Sequence, residues 1–140
     1  MMMAAVDPMH SHHKPLRLDN RIIEAADSVS QQIGGEFHIV HAYAETARPF
    51  AAAGAIKEEH ENAFNELMSD YDVDAGHLHL IDETPIDALQ QYGEMINSDM
   101  LVMGAISRSR ISEALVGSTA ETVLDYVKTD VLILKPAVSE

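Results

Sequence analysis

Residues 101–119 read LVMGAISRSRISEALVGST. An apolar run, Leu101 to Met103, breaks at Gly104, a short serine and arginine segment follows, and Gly117-Ser118-Thr119 opens what the pattern predicts to be another helix. A strand that ends in a glycine, facing a helix whose first N–H groups have no partner inside the helix, makes a site that favours anions. The remainder of the chain reads as the scaffold that holds those two ends in place.

Upstream of this stretch, Thr84-Pro85-Ile86-Asp87 is a helix start: a capping threonine, proline at the first helical position, and an acid that complements the helix dipole. The helix is predicted to run to about Asn97, with Ile86, Leu89, Gly93 and Ile96 inward. Met100 to Met103 has no polar interruption, as expected of a central parallel strand covered on both faces. Downstream, Ile111, Ala114 and Leu115 suggest a turn or two of helix inside the loop. Ala120, Val123, Leu124 and Val127 mark a fourth main helix, and Val131 to Leu134 a fifth strand ended by Pro136.

The first half of the chain alternates in the same way. Met2 to Val6 is a short apolar strand closed by Asp7-Pro8, so the chain is expected to begin close to a domain boundary. MHSHHKP follows as a loop, and its His10, His12 and His13 have no carboxylate at ligand spacing, which favours a solvated loop over a metal site. Leu18, Ile22, Ala25, Ala26, Val29 and Ile33 fall on one helical stripe that Gly34-Gly35 stops, and Phe37 to Tyr43 is a second strand. His38 and His41 lie three apart on that strand, hence on opposite faces, and read as packing or edge residues. After a connection from Glu45 to Ala55, a second helix carries Ile56, His60, Ala63, Phe64, Leu67 and Tyr71 on one stripe. Glu58, Glu59, Glu61 and Glu66 lie on its solvated face. His77 to Ile81 is the third strand; His77 and His79 share a face, but two imidazoles without a third ligand are weak evidence of a metal.

Strand and helix alternate throughout, which predicts an α/β fold, a three-layer α/β/α sandwich with a five-stranded, mainly parallel sheet in a single domain over residues 1–140. The formal charge of −14, from 23 acidic against 9 basic residues, repels nucleic-acid phosphates and anionic lipid, and no basic patch offsets it. No apolar run approaches the roughly 20 residues of a membrane span. The absence of cysteine excludes thiol chemistry and disulfides, so a soluble cytoplasmic protein without nucleic-acid or membrane partners is expected.

In open α/β sheets ligands sit beyond the carboxyl ends of strands where the strand order reverses. Asp7 ends the first strand and Gly104 the fourth. If those strands are neighbours, Asp7, Met103, Gly104 and Gly117, Ser118 and Thr119 converge on one cleft. Ser118-Thr119-Ala120-Glu121 is also a capping box, which leaves other N–H groups at that helix start for an anion. Arg108 and Arg110 can grip phosphate from the loop or pair with the acidic surface. Asp7 can serve as a ligand contact or simply as the turn residue before Pro8. No nucleophile and base stand together by local spacing.

These residues carry a resemblance. Gly104, Ala105-Ile106, Ser107, nine residues and then Gly117-Ser118 resembles the signature of the universal stress protein family, a glycine, two residues, a glycine, nine residues, then glycine with serine or threonine. The aspartate after strand one, His41-Ala42-Tyr43 and the closing VLILKP also sit where the family has comparable features. The wording of MGAISRSR and TAETVLDYVKTDVLILKP is most similar to tandem-domain members, and would correspond to a second domain. The resemblance implies a Rossmann-like fold, a role in the stress response, and a bound adenine nucleotide such as ATP with Mg. Asp7 would meet adenine or ribose; Met103 and Gly104 would lie beside the nucleotide; Gly117, Ser118 and Thr119 would hold phosphates, with Ser107 and Arg108 as further nucleotide-binding candidates in the loop between. Ser107 stands where the pattern has its second glycine, and its side chain restricts the turn there. The resemblance further implies pairing through Val131 to Leu134, with a second copy or with a sister domain. A nucleotide-independent interaction module and a weak ATP hydrolase are the alternatives.

Overall fold

The computed structural model describes residues 1–8, 18–43, 55–104, 123 and 125–134. Among the described residues are five strands, β1 (Met2–Ala5), β2 (Phe37–Tyr43), β3 (Leu78–Asp82), β4 (Met100–Gly104) and β5 (Asp130–Leu134), together with helices α1 (Leu18–Ile33), α2 (Ala55–Met68) and α3 (Pro85–Met95). The strand order is β3-β2-β1-β4-β5 and every pairing is parallel. The sheet therefore grows outward from β1 in one direction through β2 and β3, then returns to the other side of β1 for β4 and β5. β1 and β4, far apart in sequence, lie side by side with Met2 opposite Met100 and Ala4 opposite Val102.

Alternation along the strands divides the apolar side chains between two layers. Met2, Ala4, Val6, Ile39 and Val102 face α1 and α2, where they pack with Leu18, Ile22, Ile23, Ala26, Phe64 and Met68. Met3, Val40, Leu101 and Met103 face the other way, against Leu89 of α3 and Val123 of the helical turn before β5. β1 is buried on both faces, with Met2, Met3 and Ala4 at most 1% exposed, which is why its sequence is an unbroken apolar run.

Local chemistry sets the element ends. Gly34 adopts φ +69° and turns the chain out of α1, a conformation that costs glycine nothing. Thr84 caps α3: its Oγ1 accepts the Asp87 N–H at 3.4 Å and its hydroxyl donates to Asp87 Oδ2 at 2.9 Å. Asn97, at φ 52°, carries the chain away from the end of that helix. A short 3-10 turn, Ala75–His77, precedes β3, which starts one residue later than the periodicity implied. Ile33, expected on the inward stripe of α1, is 63% exposed, and its side chain lies near Gly35 instead. Ile23, which that stripe omitted, is buried.

Candidate functional site

The strand order turns back on itself at β1, the place where a doubly wound fold would form a ligand crevice. β1 and β4 deliver their carboxyl ends to the same edge of the sheet, and extending their register by two residues sets Val6 against Gly104. The condition that the sequence reading set, that β1 and β4 be neighbours, is thus met, with Asp7 just past the end of β1 and Met103 and Gly104 at the end of β4. Ser107, Arg108, Arg110, Gly117, Ser118 and Thr119 lie outside the described residues.

Each of the three described residues is held in a distinct way. The Asp7 backbone N–H donates to Asp19 Oδ1 at 3.0 Å, while the N–H of Val6 pairs with the Val40 carbonyl at 3.0 Å. The chain leaving β1 is thereby tied to the first turn of α1. Met103 is 5% exposed and its side chain belongs to the α3 layer, so what it offers the crevice is backbone. Gly104 faces α1. A Cβ there would stand 2.6 Å from Leu18 Cδ2, 2.9 Å from Leu18 Cγ and 3.2 Å from Ile22 Cδ1. The glycine is required so that the start of α1 can close over the tip of β4, a packing demand that the sequence reading did not identify.

Two features of this edge escaped the sequence reading. Asp19 is only 6% exposed, a carboxylate at a helix start, where the partial positive charge of the first N–H groups favours an anion. His41, 1% exposed, sits one strand over, with Nδ1 3.2 Å from the Val6 carbonyl and Nε2 2.8 Å from His60 Nδ1 of α2. The carbonyl can only accept, which makes Nδ1 of His41 the donor; in the neutral ring Nε2 then receives the His60 N–H. His60 also stacks on Tyr43, with ring centroids 5.3 Å apart. The signal was available in part, since His60 falls on the apolar stripe of α2, but the partner of a buried histidine is not readable from spacing.

Away from the crevice, a cavity of about 200 Å³ opens at the amino ends of the strands, lined by Met3, Gly93, Asn97, Ser98 and Thr129 among others. It lies at the end of the sheet opposite to that where doubly wound folds take ligands. No helix among the described residues is long and apolar enough to cross a membrane.

Comparison with known proteins agrees with this topology. The model of the universal stress protein family matches residues 6–135. Universal stress protein E of Photorhabdus laumondii subsp. laumondii is 27% identical over 138 residues, which cover 90% of this chain and 43% of that protein. The chain thus spans less than half the length of that curated relative. Among solved structures, PA1789 of Pseudomonas aeruginosa PAO1, itself described as functionally unknown, superposes with a TM-score of 0.76 at 24% identity, over 96% of this chain and 47% of that one. A universal stress protein solved in complex with cAMP superposes with a TM-score of 0.58 at 24% identity over 96% of each chain.

Proposed function

The chain belongs to the universal stress protein family, and from that premise we propose that it is a single stress-response domain that binds a small phosphorylated ligand, an adenine nucleotide by preference, in the crevice between β1 and β4. The observation that supports this reading is the parallel pairing of β1 with β4 at the reversal of strand order, which brings the carboxyl ends of those two strands to one edge of the sheet. The Asp7 carboxylate would receive hydrogen bonds from ribose or adenine, and the backbone at Met103 and Gly104 would border the base. Ser107, Arg108 and the amides of Gly117, Ser118 and Thr119 would hold the phosphates, with Mg shared by an ATP. The family member solved with cAMP supports a nucleotide-sized ligand. Val131 to Leu134, on the outermost strand β5, would pair with a second copy or with a sister domain, because an open apolar edge otherwise invites aggregation. We place the protein in the cytoplasm and assign it no catalytic residues.

Native mass spectrometry of gently purified protein tests this, followed by calorimetric titration with ATP and Mg and with cAMP. Copurified nucleotide, or binding that Asp7→Ala weakens, supports the reading. Absence of nucleotide together with a flat titration removes it. A flat titration would favour the second reading, a nucleotide-independent interaction module. That alternative draws on one specific observation, that Leu18 and Ile22 already occupy the space over Gly104 on the α1 side.

A further inference from the structure

Outside the crevice, the β2–β3 register assembles a group of polar side chains that no local spacing reveals. Ile39 pairs with Leu78 and Val40 with His79, so one step back along both strands His38 lies across from His77. Their rings stack with centroids 4.4 Å apart. Glu36, just before β2, places Oε2 4.0 Å from His77 Nε2. One ligand atom from each of Glu36, His38 and His77 lies within 4.8 Å of the other two. Behind them, His38 Nδ1 is 2.9 Å from His79 Nε2, and the Tyr92 hydroxyl of α3 is 2.7 Å from that same nitrogen.

The atoms that remain define what could sit there. With Nδ1 of His38 engaged by His79, Nε2 is the nitrogen left to a ligand. A neutral imidazole carries one unshared nitrogen lone pair, and two such rings beside a carboxylate present three acceptors to one small space. A proton can answer only one of them. A divalent cation would satisfy both rings, stacked with centroids 4.4 Å apart, and the carboxylate at once.

We propose that Glu36, His38 and His77 form a binding site for a divalent transition metal of the zinc class, with a fourth coordination position open to solvent. Two imidazoles and one carboxylate are a donor set suited to Zn²⁺, and three protein ligands leave room for water. Tetrahedral coordination at Zn–N distances of about 2.0–2.1 Å brings ligand atoms to roughly 3.3 Å from each other. The groups must therefore close by about an ångström or more from their 4.8 Å limit. Glu36, whose side chain is 67% exposed, and His77, at 29%, are free enough of the core to do so. His38, 9% exposed, is the fixed point, oriented by His79, which Tyr92 holds in turn, as metal-binding imidazoles commonly are by a hydrogen bond to their other nitrogen. The site does not rest on the nucleotide reading, because it sits at the amino end of β2 rather than at the carboxyl ends of β1 and β4.

The experiment is titration of the chelator-treated chain with Zn²⁺ by calorimetry, and with Co²⁺ by visible absorption. The wild type is expected to take up one equivalent in this site and to develop tetrahedral Co²⁺ bands. His77→Gln and Glu36→Gln, both at accessible positions, should each weaken that binding roughly tenfold or more. His10, His12 and His13 offer a competing location, so the triple His→Gln variant at those positions should retain the Co²⁺ bands. No uptake by the wild type would overturn the assignment. So would binding unchanged in His77→Gln and Glu36→Gln, or Co²⁺ bands lost in the triple variant.

Discussion

The Asp19 carboxylate accepts the backbone N–H of Asp7 at 3.0 Å, so the first turn of α1 fixes where the chain leaves β1. Asp19 is 6% exposed, and removing it leaves the half-buried Asp7 amide without this acceptor while forfeiting a favourable helix-start charge. Asp19→Ala should lower unfolding free energy by about 1–3 kcal/mol in urea titrations. Asp19→Asn keeps an acceptor oxygen and should lose distinctly less. If the crevice binds nucleotide, Asp19→Ala should also weaken it through Asp7. Equal stability of the Ala and Asn variants would show that the hydrogen bond contributes nothing.

Gly104 and Leu18 compete for one volume. A methyl group on residue 104 would come within 2.6 Å of Leu18 Cδ2, inside any real contact distance, and Leu18 at 2% exposure has little room to retreat. Gly104→Ala should destabilise by about 1–3 kcal/mol, the usual cost of overpacking. Leu18→Ala alone opens a cavity and should also destabilise. Combined, the two changes should cost less than their sum, because the new methyl group enters the space that Leu18 vacates. Strict additivity in a double-mutant cycle would mean that the two side chains do not meet.

These two cases show what a sequence can and cannot disclose. Segments whose identity is local were legible: the uninterrupted Met100 to Met103, the Gly34-Gly35 stop, the Thr84-Pro85 start. The α/β architecture followed from their alternation. The neighbouring placement of β1 and β4 entered only as a condition, since parallel pairing across so long a separation leaves no mark on either strand. Asp19 was hidden for a different reason, because an acid in a first helical turn looks the same whether it faces water or holds an amide. His38 and His77 belong to separate elements, and only the pairing register sets them opposite each other. The phosphate-loop positions, Ser107, Arg108, Gly117, Ser118 and Thr119, lie outside the described residues, so their roles rest on the pattern and the family.

The cap on α3 gives a smaller and cleaner test. Thr84 Oγ1 meets the Asp87 N–H at a long 3.4 Å, and its stronger bond is the 2.9 Å donation to the Asp87 carboxylate. Both groups are exposed, so water can replace much of what is lost. Thr84→Ala should therefore fall in the lower part of the range for removing a helix cap, about 0.5–1 kcal/mol. Thr84→Ser retains the hydroxyl and should stay near wild type. A loss as large as 2 kcal/mol would mean that α3 depends on this end more than its exposed geometry implies.

His79 makes the stability of the metal-free protein depend on pH, and the direction can be worked out. Burial first, then the nearby His38 and His77, push its pKa down to about 4 from an ordinary value near 6.5. The groups facing it are His38 from β2, His77 from the turn before β3 and the Tyr92 hydroxyl from α3, none of which is an anion. Between those two pKa values the unfolded chain binds a proton at this position that the folded chain does not. Stability therefore rises with pH across that window and falls on acidification, with the contribution complete above about pH 6.5 and lost below about 4. His38, shifted the same way, adds to the trend. With chelator present, urea midpoints measured from pH 7 to pH 4 should decline for the wild type. His79→Gln should decline less steeply, whatever its absolute stability, because the carboxylates that also titrate near pH 4 are common to both proteins. Parallel slopes for the two proteins would mean that His79 titrates in the fold as it does in the open chain.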